Sequence, residues 1–100
     1  MLQCTQQGDA LTVHLCGEID HCAAEGLRNE IEMQIVRQNA KRLILDFSQV
    51  TFMDSSGIAL ILRAQQRMQL LDGSLVVCNV PQQARRVLDA AGIGRLVTIR

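Results

Sequence analysis

The sequence has 100 residues, enough for one domain over residues 1–100 with a single small core, and 48% of them are apolar. Ten basic and ten acidic side chains cancel, and Phe47 and Phe52 are the only aromatic residues, so a basic footprint and a stacking platform for nucleic acid are both excluded. Uninterrupted apolar runs reach about five residues, far below the roughly 20 that span a bilayer, and no basic stretch precedes an apolar one at Met1 to Thr5, so a cytoplasmic, non-inserted chain is expected.

The first elements are a strand from Leu2 to Gln6, a turn at Gln7-Gly8-Asp9 and a strand from Ala10 to Cys16. Leu11, Val13 and Leu15 alternate with Thr12, His14 and Cys16, the period of a strand with one buried face, and Gly8-Asp9 makes the connection a hairpin. Gly17-Glu18-Ile19-Asp20 follows, with Asp20 as the cap of a helix from about His21 to Asn39. Leu27, Ile31 and Ile35 recur every four residues in it, with charged residues on the other faces.

Arg42 to Phe47 contains Leu43-Ile44-Leu45, which suits an inner strand covered on both faces. Ser48 to Met53 leads to the polar trio Asp54-Ser55-Ser56. A second helix is expected from Ser55 or Ser56 to Leu71, apolar on nearly every face in its first half and solvated at Arg63, Gln65, Gln66, Arg67 and Gln69. Ser74 to Val80 reads as a strand, and Pro81 opens a third helix with Ala84, Val87, Leu88 and Ala91 on one stripe, ended by Gly92. Arg95 to Ile99 is a last short strand.

This order contains three strand–helix–strand crossovers. It predicts an α/β domain with a mostly parallel sheet of four to five strands, an N-terminal hairpin and about three to four covering helices. Sites in such sheets gather at the carboxyl ends of the strands, so Asp20, Asp54, Ser55 and Asn79 are expected to share one edge. The bland alternative gives each of these a local role as cap or turn residue. Ser55 read as a plain N-cap contributes about 1 kcal/mol of helix stability.

Cys4, Cys16, Cys22 and Cys78 form no C-x-x-C, and a chain of this length needs no disulfide staples, so reduced thiols are expected. His14, Cys16, His21 and Cys22 lie close in sequence but match no zinc spacing, so no metal site is expected. No motif calls for a cofactor. A hydrolase with Ser55 or Ser56 as nucleophile would need a base within hydrogen-bond reach. The histidines lie in a strand and at a helix start, and no G-x-S-x-G elbow surrounds either serine.

The run from Leu43 to Ile58, Leu-Ile-Leu-Asp-Phe-Ser-Gln-Val-Thr-Phe-Met-Asp-Ser-Ser-Gly-Ile, resembles the signature of bacterial anti-sigma factor antagonists, the STAS domain family. Gly17-Glu18-Ile19-Asp20 and Gly73 to Val80 fall where that family places similar segments, and the resemblance covers essentially the whole chain. Relatives often carry a second His beside the one at His21; this chain has Cys22 there.

The resemblance implies a partner-switching regulator rather than an enzyme. The unmodified protein would bind an anti-sigma factor that is also a serine kinase, freeing the sigma factor. The kinase would phosphorylate Ser55, and a serine phosphatase would reset it. Asp20, Asp54, Ser55, Ser56 and Gly57 would form the partner-binding surface. A domain of the same fold could instead serve as a non-switching subunit of a lipid transporter or of a stress-sensing scaffold; the intact Asp54-Ser55-Ser56-Gly57 favours the phosphorylated regulators.

Overall fold

The computed structural model describes residues 2–100; Met1, the first residue of the expected domain, lies outside them. The elements run β1 (Leu2–Gln7), β2 (Ala10–Ile19), α1 (His21–Gln38), β3 (Arg42–Met53), α2 (Ser55–Leu70), β4 (Ser74–Cys78), α3 (Gln82–Ala90), a one-turn 3-10 helix (Ile93–Arg95) and β5 (Thr98–Ile99). The strands form one sheet in the order β1-β2-β3-β4-β5; β1 pairs antiparallel with β2 and the other neighbours are parallel. The expected hairpin turns at Gly8, whose φ of 63° lies in the left-handed region that glycine occupies without strain.

Sheet order equals chain order, so every crossover steps in the same direction. Right-handed crossovers that all step one way place all the helices on one face. The burial pattern agrees. Leu11, Val13 and Leu15 of β2, Leu43, Leu45 and Phe47 of β3, and Leu75 and Val77 of β4 are buried. They meet Leu27, Ile31 and Ile35 of α1, Leu60, Ile61, Ala64 and Met68 of α2, and Ala84 and Leu88 of α3 in a single core. Each fully buried Leu or Ile in it is worth roughly 1.5–3 kcal/mol.

The alternate residues Thr12, His14, Ile44, Asp46, Val76 and Cys78 are only half-buried, on a face that no helix covers. The expectation that β3 is covered on both faces is therefore corrected: Leu43-Ile44-Leu45 alternates between a helix-covered and an open face.

Other boundaries differ too: β2 runs on from the expected Cys16 to Ile19, and β3 from Phe47 to Met53. β4 stops at Cys78 because Asn79 turns to a left-handed φ of 56°. The last strand shrinks to Thr98–Ile99, since Gly92 enters the left-handed region and the chain spends its next turn burying Ile93, then Val97, against the core. Among the described residues no helix is long and apolar enough to cross a membrane.

Candidate functional site

β2 and β3 run past the rest of the sheet. β4 pairs with β3 only as far as Cys78 opposite Asp46, whereas β3 continues to Met53 alongside β2. Register shifts between His14 and Cys16 and between Gly17 and Glu18 let β2 follow it to Ile19. Such bulges re-aim a strand end. The two strands thus form a protruding tip, with Ile19 beside Met53, Glu18 beside the exposed Phe52, and the Asp54 N–H donating to the Ile19 carbonyl at 3.2 Å.

Both chains turn into helices at that tip. Asp20 caps α1: its Oδ1 accepts from the Ala23 N–H at 2.9 Å. Asp54 caps α2: its Oδ1 accepts from the Ser56 N–H at 2.8 Å, and its carbonyl accepts from the Gly57 N–H at 3.0 Å. Two carboxylates therefore sit side by side on two positive helix ends, each satisfying donors that the helix itself cannot.

The cap assignment changes the reading of Ser55. With Asp54 as cap, Ser55 is the first residue of α2, exposed, and its hydroxyl makes no hydrogen bond among the described residues. The plain N-cap role, the bland alternative for Ser55, belongs to Asp54. Ser56 is half-buried and lines the groove between α1 and α2 together with His21. Gly57 is buried; a Cβ there would overlap Cγ and Sδ of Met53, whose side chain is fully buried. A side chain at Gly57 would have to push the buried Met53 side chain aside, so glycine lets the first turn of α2 lie directly on Met53.

Gln83, which the sequence reading did not single out, completes the site. Its Oε1 accepts from the Met53 N–H and its Nε2 donates to the Met53 carbonyl, both at 2.9 Å. β4 has ended at that level, so the side chain of α3 takes the place of a neighbouring strand. It holds the residue immediately before Asp54.

Asn79 does not join Asp20, Asp54 and Ser55. Its Nδ2 donates to Asp46 Oδ1 at 3.1 Å, in a cluster on the open sheet face where His14 Nδ1 lies 2.8 Å from Asp46 Oδ2. Burial works to raise the Asp46 carboxyl, but hydrogen bonds from the Ser48 N–H, His14 and Asn79 outweigh it and hold the group at about 2. Burial and the Asp46 charge push the neighbouring Cys78 thiol up. Among the described residues Cys4, Cys16, Cys22 and Cys78 form no disulfide. Neither histidine hydrogen-bonds Ser55 or Ser56, so the base that a serine nucleophile needs is not in contact with either.

The STAS domain family model matches residues 1–100. An anti-sigma F factor antagonist of Paenibacillus polymyxa is 32% identical over 89 residues, covering 89% of this chain and 76% of the relative. Among solved structures, the anti-sigma factor antagonist SpoIIAA in its unphosphorylated form is 27% identical with a TM-score of 0.85, over 100% of this chain and 88% of that one. The phosphorylated form of the Bacillus cell fate determinant SpoIIAA, also 27% identical, superposes with a TM-score of 0.75 over 100% of this chain and 91% of that one.

Proposed function

The chain belongs to the STAS domain family, and from that premise we propose that residues 1–100 act as one anti-sigma factor antagonist domain switched at Ser55. The unmodified surface of Asp20, Asp54, Ser55, Ser56 and Gly57 binds an anti-sigma factor that is also a serine kinase, and the sigma factor is released. The kinase transfers a phosphoryl group from ATP to the Ser55 hydroxyl, and the bound partner is lost. A serine phosphatase restores the unmodified form. A regulator of this kind works in the cytoplasm and carries out no catalysis of its own.

The observation that carries this reading is the Ser55 hydroxyl itself, exposed and unbonded at the first position of α2 while Asp54 does the capping. A kinase can take that hydroxyl without unmaking any internal hydrogen bond. Phosphorylation adds about −1.5 to −2 charge at the positive end of α2 and displaces no internal hydrogen bond of the hydroxyl, so the domain stays folded. On a surface shaped to dock a partner, the same charge beside Asp54 brings like-charge and desolvation penalties of several kcal/mol. At ~1.4 kcal/mol per tenfold, binding weakens by roughly two orders of magnitude or more.

The test is intact mass after incubation with ATP and the candidate anti-sigma kinase of the same genome. The wild type gains one phosphate and Ser55→Ala gains none, while Ser55→Ala still binds the kinase and Ser55→Asp binds it weakly. A folded wild type that neither binds nor is phosphorylated by any such kinase overturns the reading.

A further inference from the structure

The seam between α1 and α2 holds arginines in two different states. Arg67 of α2 reaches Glu32 of α1 at 3.8 Å, an ordinary pairing across the helices. Nearer the helix starts the seam opens into a groove of about 250 Å³ lined by His21, Glu25, Arg28, Ser56 and Arg63. Among the described residues neither Arg28 nor Arg63 forms an ion pair, although Glu25 lies in the same groove. Arg28 Nε is shut off from solvent with no hydrogen-bond partner, while the side chain is only half-buried, so its terminal amino groups are the donors that a ligand in the groove can meet. A buried guanidinium donor left without an acceptor is destabilising, and few are found in native structures.

We propose that this groove is a slot for an acidic side chain, and that an Asp or Glu carboxylate of the docked anti-sigma factor enters it to bond Arg28 and Arg63. The inference rests on the antagonist reading and adds the polarity of the docking surface to it. Ser56 lines the groove and Ser55 is its neighbour in the first turn, so a partner whose active site reaches Ser55 covers the groove. Covering two guanidinium groups without matching them would penalise the complex. A carboxylate matches their planar donors, and Ser56 adds a further donor.

Glu18, Asp20 and Asp54 at the tip are acidic in turn and call for basic side chains on the same partner. The surface is thus bipolar, acidic at the strand ends and basic along the seam, and this fixes the orientation in which the kinase docks.

The experiment measures Kd for the anti-sigma kinase of the same genome by titration calorimetry. The panel is wild type, Arg28→Gln, Arg63→Gln, the double variant, Ser55→Asp, and Arg37→Gln as a control at the far end of α1. Each groove variant is expected to lose about tenfold in affinity and the double variant about a hundredfold, with Arg37→Gln within twofold of wild type. Arg63 is exposed, so its single variant keeps the test open if Arg28→Gln fails to fold. A double variant that is folded and binds within threefold of wild type, while Ser55→Asp binds weakly, overturns the slot and leaves the switch standing. A wild type that binds no such kinase overturns both.

Discussion

Alanine at Asp54 and alanine at Ser55 have sharply different consequences if the cap and the modification site are separate residues. Asp54→Ala removes the 2.8 Å bond from the Ser56 N–H, a cap worth about 1 kcal/mol. It also removes a carboxylate from a positive helix end, worth about 0.3–1 kcal/mol. The sum, about 1.5 kcal/mol, lowers Tm by about 6–12 °C in a domain of this size. Ser55→Ala deletes a hydroxyl that bonds nothing and installs a better helix former, so stability stays within about 0.5 kcal/mol. Ser55→Asp places a charge on the first turn and raises stability by about 0.3–1 kcal/mol while weakening the kinase complex. Equilibrium urea denaturation of the three variants, with kinase titrations beside it, reads both quantities. If Ser55→Ala loses as much stability as Asp54→Ala, Ser55 is the cap and the separation is wrong.

Two further outcomes follow from the same geometry. Gln83→Ala loses both bonds to the Met53 backbone, at about 0.5–1.5 kcal/mol each, so the variant is about 1–3 kcal/mol less stable and amide exchange at Met53 and Asp54 accelerates; unchanged exchange there would show that the strand end is held by something else. Asp46, with its folded carboxyl depressed to about 2, contributes stability that is fully present above its unfolded value near 3.9 and is lost as pH falls through about 2. Wild type should therefore exceed Asp46→Asn by about 1–2 kcal/mol at pH 7, after allowance for solvent screening, and the gap should close between about pH 4 and pH 2 in urea titrations.

The elements whose signals are local were legible in the sequence. Asp20 caps the helix it was expected to cap, the Leu11-Val13-Leu15 alternation marks the buried face of β2, and Leu27-Ile31-Ile35 is the buried stripe of α1. The tip of β2 and β3 was not legible, because its bulges break the period-two pattern: beyond Phe47 the buried residues are Val50 and Met53, three apart. Nor was the open face. Ile44 and Val76 are apolar, and a run of apolar residues does not reveal that every crossover steps in one direction. Asp54, Ser55 and Ser56 are all competent caps, so composition could not order them; the structure gives the role to Asp54, whose carboxylate accepts from the Ser56 N–H. Gln83 lies 30 residues beyond Met53, and Arg28 and Arg63 belong to different helices, so no spacing rule reaches either pairing.

On the proposed reading of Ser55 as the switch, these long-range contacts explain why a charge there would be read by a partner and not by the fold. Below the serine, Met53 is buried, held at its backbone by Gln83 and covered by Gly57; beside it, Asp54 is tied to Ile19 through the backbone and to Ser56 through its cap. Each restraint involves a neighbour of Ser55 and none involves its hydroxyl, so a phosphate has nothing internal to displace. Its electrostatic work falls on whatever docks there. In the proposed complex, a dianion at Ser55 and a partner carboxylate in the Arg28–Arg63 slot would repel by roughly 2–4 kcal/mol for an assumed separation of about 8 Å and an effective dielectric of about 20–40. That is about 30-fold to a thousandfold in affinity, obtained without moving a strand or a helix of the domain.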